Sequence, residues 1–191
     1  IYHELKLDKM CRAIAKKYKF SYDLDSILSR LVYARVIYPS SKLSTYQLSS
    51  RFMEQPSFDL HQIYRALEII AKEADSIQAS LYSNSLAVSK RNTRVLYYDC
   101  TNYFFEIEQE SGIKQYGYSK EHRPNPIVQM GLFMDGDGVP LAVHIGKGNT
   151  NEQLTLKPLE KKILSDFNCS KFIVCTDAGL ASNSNRQFNN Q

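Results

Sequence analysis

Arg94-Val95-Leu96-Tyr97-Tyr98-Asp99 breaks the pattern of everything before it. Upstream, apolar residues recur at helical spacing. From Val95 four β-branched, aliphatic and aromatic residues stand in a row and then stop at a carboxylate. The run is apolar on both parities, so it reads as a buried central strand ending at Asp99 rather than an exposed edge.

Downstream of this strand comes an aromatic and acidic stretch, Tyr103-Phe104-Phe105-Glu106, and then a loop punctuated by glycine and proline from Gly112 to Pro126. Ile127 to Met134 is a second predicted strand and Val139 to Ile145 a third. Gly136-Asp137-Gly138 between them is a tight-turn signal, so the two form a hairpin. Asn149-Thr150-Asn151-Glu152 suits the cap of a helix over Gln153 to Asp166, with Asn149 the expected cap and Leu154, Leu156, Leu159 and Ile163 facing inward. Phe172-Ile173-Val174-Cys175 is a fourth strand, expected to be buried like the first, and it ends at Asp177. Strand, hairpin, helix, strand in that order makes a mixed sheet, and the right-handed crossover rule sets the fourth strand beside the first.

Upstream the spacing predicts an all-α module. Leu24, Ile27, Leu28, Leu31, Val32 and Val36 form one stripe of a helix capped by Asp23 and stopped by Pro39. Leu60, Ile63, Tyr64, Leu67 and Ile70 form another, opened by Asp59. Leu5 to Tyr18 and the Ile77, Leu81, Leu86 spacing suggest two more. The fold class is therefore α+β or α/β, with a helical module over 1–93 followed by a mixed sheet with a crossover helix over 94–191.

Composition bounds the function classes. The 191 residues include no apolar run near the roughly 20 residues of a membrane span. The start, Ile1-Tyr2-His3-Glu4, is polar and lacks the features of a signal peptide, so an intracellular protein is expected. Cys11, Cys100, Cys169 and Cys175 lack the close pairs of a zinc ribbon and are expected as free thiols. Residues 1–93 hold 14 Lys and Arg against 9 Asp and Glu, whereas residues 94–191 hold 10 against 11. The basic excess thus sits in the helical half, compatible either with contact to phosphates or with a solvated helix face.

Asp99 and Asp177 carry the candidate chemistry, because open α/β sheets place ligands at the carboxyl ends of their strands. Two carboxylates about 4 Å apart repel by roughly 4 kcal/mol at an effective dielectric of 20. A shared proton offsets that, and so does a hard divalent cation, for which oxygen-only ligands are well suited. With two such ions the site suits phosphodiester cleavage and transfer. The competing reading of each aspartate, taken singly, is a turn former after a strand. Lys120, His122 and Arg123 cluster in the loop entering the second strand, where they could meet a phosphate or simply be solvated. His144 is expected as a packed or edge histidine, and the Tyr103 to Phe105 cluster as core rather than a base-stacking surface. Ser40, Ser41, Lys42 and Arg51 could lie on DNA, but no base-reading residue is evident in the helical half.

The linked series Tyr98-Asp99-Cys100-Thr101-Asn102-Tyr103-Phe104-Phe105-Glu106, Tyr116-Gly117-Tyr118-Ser119-Lys120-Glu121-His122-Arg123-Pro124, Gly138-Val139-Pro140-Leu141, Gly148-Asn149-Thr150 and Thr176-Asp177-Ala178-Gly179-Leu180 resembles the DDE transposases of bacterial insertion sequences. The resemblance spans Arg94 to Asn185. It implies a ribonuclease-H-like catalytic domain, two Mg²⁺ or Mn²⁺ ions, and Asp99 and Asp177 as the first two acidic ligands. It also implies double-stranded DNA as partner, both element terminal inverted repeats and target, contacted through Lys120, His122, Arg123 and Asn149. A homodimer of the full-length protein acting at the bacterial nucleoid in the cytoplasm completes the expectation. The family's third acidic ligand is a Glu on a later helix, and no acidic residue follows Asp177, so the chain is expected to be a fragment, inactive by itself. A non-catalytic DNA-binding remnant of a decayed mobile element is the alternative, and a ribonuclease-H-like nuclease unrelated to transposition is a third reading.

Overall fold

The computed structural model describes residues 1–167, 169, 171–180 and 183–189. The chain divides into two compact units, Ile1–Val88 and Ser89–Gln191.

The first unit is all helical: α1 (Leu7–Tyr18), α2 (Leu24–Ile37), α3 (Lys42–Ser49), α4 (Leu60–Lys72) and α5 (Ala74–Ser85). Asp23 opens α2 as the sequence predicts, its Oδ1 accepting the amides of Asp25 at 3.0 Å and Ser26 at 3.1 Å. At the start of α4 the Gln62 side chain reaches back to the Asp59 amide at 2.9 Å. The core is built on Cys11, Ile14, Leu24, Ile27, Phe58, Ile63 and Ala66, with Leu28, Leu31, Leu67 and Ile70 packed against it. One element is added here and one expectation changes. Helix α3, capped by Ser41 Oγ on the Ser44 amide at 3.1 Å, has only a weak apolar stripe and does not announce itself. In α2 the stripe stops short, because Val36 is exposed while Arg30 and Ala34 are buried in its place.

The second unit is an α+β fold around one mixed sheet. Its elements are β1 (Val95–Phe104), β2 (Ile127–Met134), β3 (Pro140–Lys147), α6 (Leu156–Asp166), β4 (Ile173–Thr176) and α7 (Asn183–Asn189). The strand order is β3-β2-β1-β4. Strands β1 and β2 pair antiparallel from Tyr97↔Met134 to Phe104↔Ile127, and β2 pairs antiparallel with β3. Strand β4 lies parallel to β1 from Val95↔Ile173 to Tyr98↔Thr176, beside it as the sequence reading expects.

Strand β1 does not end at Asp99 but runs on to Phe104, because β2 is long enough to pair with all of that extension. Leu96, Tyr98, Cys100 and Asn102 are buried, and the alternation sends Tyr97, Asp99, Thr101 and Tyr103 to the opposite face. On the buried face Tyr98 Oη lies 2.6 Å from Thr155 Oγ1, just ahead of α6. The opposite face is open at Tyr97, Tyr103, Ile145 and Ile173. Strand β4 is consequently not buried like β1: it stands at the sheet edge among the described residues, with Ile173 and Cys175 exposed. Before α6, a 3₁₀ turn at Glu152–Leu154 replaces the expected first helical turn and leaves Leu154 exposed.

Ser89 to Thr93 belong with this unit. Arg91 Nε donates to Asp135 Oδ2 at 2.5 Å, with the two side chains only 3% and 0% exposed. A further Arg91 nitrogen reaches the Pro140 carbonyl at 3.0 Å, while Asp135 Oδ1 accepts the Val139 amide at 2.9 Å. The pair ties the chain entering β1 to the β2–β3 turn. Helix α6 buries Leu156, Leu159, Glu160 and Ile163. Glu160 Oε2 has no hydrogen-bond partner among the described residues, and burial pushes its carboxyl up to about 7.

No helix of the described residues is long and apolar enough to cross a membrane.

These buried charges bear on stability in two measurable ways. Arg91→Ala leaves Asp135 buried and uncompensated, and should cost about 3–5 kcal/mol in hydrogen-exchange protection of the β1, β2 and β3 amides. Glu160 binds its proton more tightly folded than unfolded. Its contribution is therefore fully present below about 4.5 and is lost as pH rises to about 7. Glu160→Gln should remove that dependence and protect the sheet amides at pH 8 by on the order of 3 kcal/mol relative to the parent. Equal protection of variant and parent at pH 8 would contradict it.

Candidate functional site

The parallel register ends at Tyr98↔Thr176, so the residues that follow the last pair are Asp99, within β1, and Asp177, just past the end of β4. Neighbouring strands lie about 4.8 Å apart, which brings the two backbones together at one end of the β1–β4 ladder. Their side chains are held differently. Asp99 stays in β1 on the open face, with Oδ1 accepting the Cys100 amide at 2.7 Å. Asp177 leaves β4 at once and enters a 3₁₀ turn at Ala178–Leu180, where its Oδ1 accepts the Leu180 amide at 3.0 Å.

Asp177 lines a cleft of about 390 Å³ together with Gly117, Tyr118, Gln129, Asn149 and Glu152. Asp99 is not among the lining residues. Two glycines permit the backbone crossing that forms one wall. A Cβ on Gly117 would run into the Gly148 carbonyl, and a Cβ on Gly148 into the carbonyl oxygens of Ile127 and Gln115. The Gln115 and Ile127 backbones pair at this crossing, at 3.0 and 2.9 Å.

The loop carrying the predicted basic cluster is fastened to β1 by Asn102. That buried amide donates to the Tyr118 carbonyl at 3.2 Å and accepts from the Lys120 amide at 3.3 Å. Lys120 Nζ then donates to the Cys100 carbonyl, a β1 acceptor beyond the last β4 pair. The same ammonium lies 3.8 Å from Glu152 Oε1, at the cleft. His122 and Arg123 go elsewhere. His122 adopts φ 54° as its amide closes a turn on the Ser119 carbonyl at 3.0 Å. Arg123 lies over the Phe104 ring at 4.9 Å and 3.7 Å from Glu121. Both are exposed.

Asn149 lines the cleft rather than capping the next helix. Asn151 caps the 3₁₀ turn instead, its Oδ1 accepting the Gln153 amide at 2.9 Å, and α6 itself begins after Thr155 without a side-chain cap. His144 is exposed on β3, at the other edge of the sheet.

Three residues that sequence patterns single out weakly or not at all shape this region: Gln129 and Glu152 line the cleft, and Asn102 holds the loop that borders it. Asn102 and Gln129 face each other across β1 and β2. Each is a polar side chain inside an apolar strand, a signal that could have been used. Glu152 reads in sequence only as part of a helix cap. Gln129 is 3% exposed, and its Nε2 donates to the Gly148 carbonyl at 3.3 Å. Its Oε1 and Glu152 Oε1 are buried atoms with no hydrogen-bond partner among the described residues.

The donors here are oxygens, two carboxylates and an amide carbonyl, a set suited to hard cations. No three His, Cys, Asp or Glu side chains cluster closely enough to share a metal among the described residues. The cysteines are free; Cys100 is buried on the α6 side and Cys175 is exposed.

The glycine crossing gives a local test. Gly148→Ala should destabilise the unit by about 1–3 kcal/mol, as overpacking does, and its loss of amide protection should concentrate at Gln115 and Ile127. Protection at those two amides equal to the parent would contradict the crossing.

No family model, no curated protein and no solved structure matches the chain.

Proposed function

We propose that this chain is a DNA transposase of the insertion-sequence DDE type, whose second unit supplies a ribonuclease-H-like core for phosphodiester cleavage and strand transfer. The observation that carries this reading is the β1–β4 register, in which Asp99 and Asp177 are consecutive with the last paired residues of two parallel strands. Strand order supports it, since a mixed sheet of this order, read from the strand and helix pattern of the sequence, is compatible with the fold that the motif series implies.

In this reading Asp99 and Asp177 supply the oxygen ligands for Mg²⁺ or Mn²⁺. Such ions, when bound in pairs, activate an attacking water or 3′-hydroxyl and stabilise the leaving oxygen of an in-line displacement. Asp177 Oδ1 accepts the Leu180 amide, which orients the carboxylate. Lys120, tethered to β1, offers its ammonium beside the reacting phosphate. His122, Arg123 and Asn149 contact the flanking DNA backbone, and these contacts position the duplex without reading its sequence. The partners are double-stranded DNA, both terminal repeats and target, and a second copy of the full-length protein. Activity belongs to the bacterial cytoplasm, at the nucleoid.

The test is Mg²⁺-dependent nicking and joining of duplexes carrying the repeats that flank the gene, using the full-length gene product. Asp99→Asn and Asp177→Asn should each lower the rate by roughly 100-fold or more, about 3 kcal/mol of transition-state stabilisation. Undiminished rates in either variant refute its role. Cleavage without joining would indicate a nuclease, and DNA binding that survives chelation with no cleavage a non-catalytic remnant.

A further inference from the structure

Helix α2 carries an arginine that is almost wholly buried. Arg30 is 7% exposed, and its guanidinium lies over the Phe52 ring at 5.7 Å. Its Nη2 donates to the Glu54 carbonyl at 2.9 Å, but its Nε is a buried donor with no hydrogen-bond partner among the described residues. A guanidinium does not lose its proton in a protein, so the unmet donor is not relieved by titration. The Glu54 carboxylate does not fill the place either. It stands 3.5 Å from Nη2 with its side chain 88% exposed, a long pairing that water screens.

Arg30 and Glu54 both line a cavity of about 490 Å³ within the helical unit, a size that suits a small ligand. Tyr2, Tyr33 and Phe52 give it aromatic walls, and the exposed Ile37 and Met53 extend the apolar surface. Nε–H and one hydrogen of Nη2 project from the same edge of the planar guanidinium, so the edge that meets Glu54 also carries the unmet donor. Such an edge is the fork that holds a carboxylate by two parallel hydrogen bonds. Asp25 lines the cavity as well, but its Oδ1 already accepts Tyr2 Oη at 2.6 Å. A doubly charged phosphate is disfavoured by one arginine set against Asp25 and Glu54. A single carboxylate that exchanges with Glu54 leaves the charge balance at Arg30 unchanged.

The geometry points to a binding site for a small monocarboxylate with an apolar body. Its carboxylate takes Nε and Nη2 of Arg30, and its apolar part lies against the aromatic walls. Glu54 is the resident carboxylate that the ligand displaces toward solvent. The site belongs to the helical unit and is independent of the function proposed above for the second.

Hydrocinnamate is the probe, titrated into the whole chain by calorimetry and by nuclear magnetic resonance of the Arg30 Nε–H. It should bind and shift that resonance. Its neutral amide and inorganic phosphate should each bind about 10-fold or more weakly, the scale of a hydrogen bond to a charged group. Glu54→Gln, at an exposed side chain, should tighten hydrocinnamate by about 3-fold, because it removes an exposed ion pair that competes for Arg30. A purely structural Arg30–Glu54 pair gives no such gain. Arg30→Lys keeps the charge but loses the fork, and should weaken binding by about 10-fold or more, with α2 amide protection matched to the parent as the check on folding. If that variant does not fold, Glu54→Gln decides alone. Equal affinity for the acid and its amide, or parent affinity in Glu54→Gln or in a folded Arg30→Lys, overturns the site. Tighter binding of phosphate than of hydrocinnamate overturns the ligand class, and absence of hydrocinnamate binding by the parent chain overturns the proposal.

Discussion

Strand β1 is hydrogen-bonded along both edges, but for different lengths. On one side β2 follows it to Phe104; on the other β4 stops at Thr176, opposite Tyr98. The β1 backbone beyond Tyr98 therefore faces a gap where a longer β4 would have continued. Backbone carbonyls inside a protein do not stay unpaired without cost. Here the Cys100 carbonyl is met by the Lys120 ammonium, which draws the loop between β1 and β2 back against the strand. That loop, the cleft it borders and Asp177 thus lie together at the end of the shorter β1–β4 ladder.

Asn102 and the two glycines turn the mismatch into a defined shape. Asn102 commits both ends of its amide to the loop, so Tyr118 and Lys120 are held in register with β1 rather than left to solvent. Gly117 and Gly148 let two backbone segments cross where any side chain would collide with a carbonyl. Elsewhere on the sheet the Arg91–Asp135 pair performs a comparable task for the β2–β3 turn, with charge rather than close approach. Polar groups buried at such points gain little net stability over an apolar substitute, but they specify which backbone segments meet.

The electrostatics of the cleft set it apart from the loop that borders it. Asp177 and Glu152 give the interior a negative character, while Lys120, His122 and Arg123 stand on the loop as its basic counterpart. Under the proposed chemistry such a division is useful: a cation is drawn to the interior and a phosphate to the rim. Asp99 approaches from another direction, on the open face with Tyr97 and Tyr103. The backbone register unites the two aspartates, and the alternation of β1 separates the aspect each presents.

Hydrophobic patterning by itself determined the helical character of the first half, the caps at Asp23 and Asp59, the β2 limits and the order of strands and crossover helix. Each of these depends on neighbours in the chain or on the handedness of a connection, so local sequence carries it. The motif series marked Asp99, Lys120 and Asp177 for the same reason. Only the tertiary structure decided that β1 passes Asp99, since its end is set by the length of β2, which lies beyond a long loop. Nor could periodicity show that β4 lies open: burial depends on what covers a strand as well as on its composition. Glu152, Gln129 and Asn102 acquire meaning only when α6, β2 and β1 are assembled, because an unmet buried oxygen is a property of its surroundings.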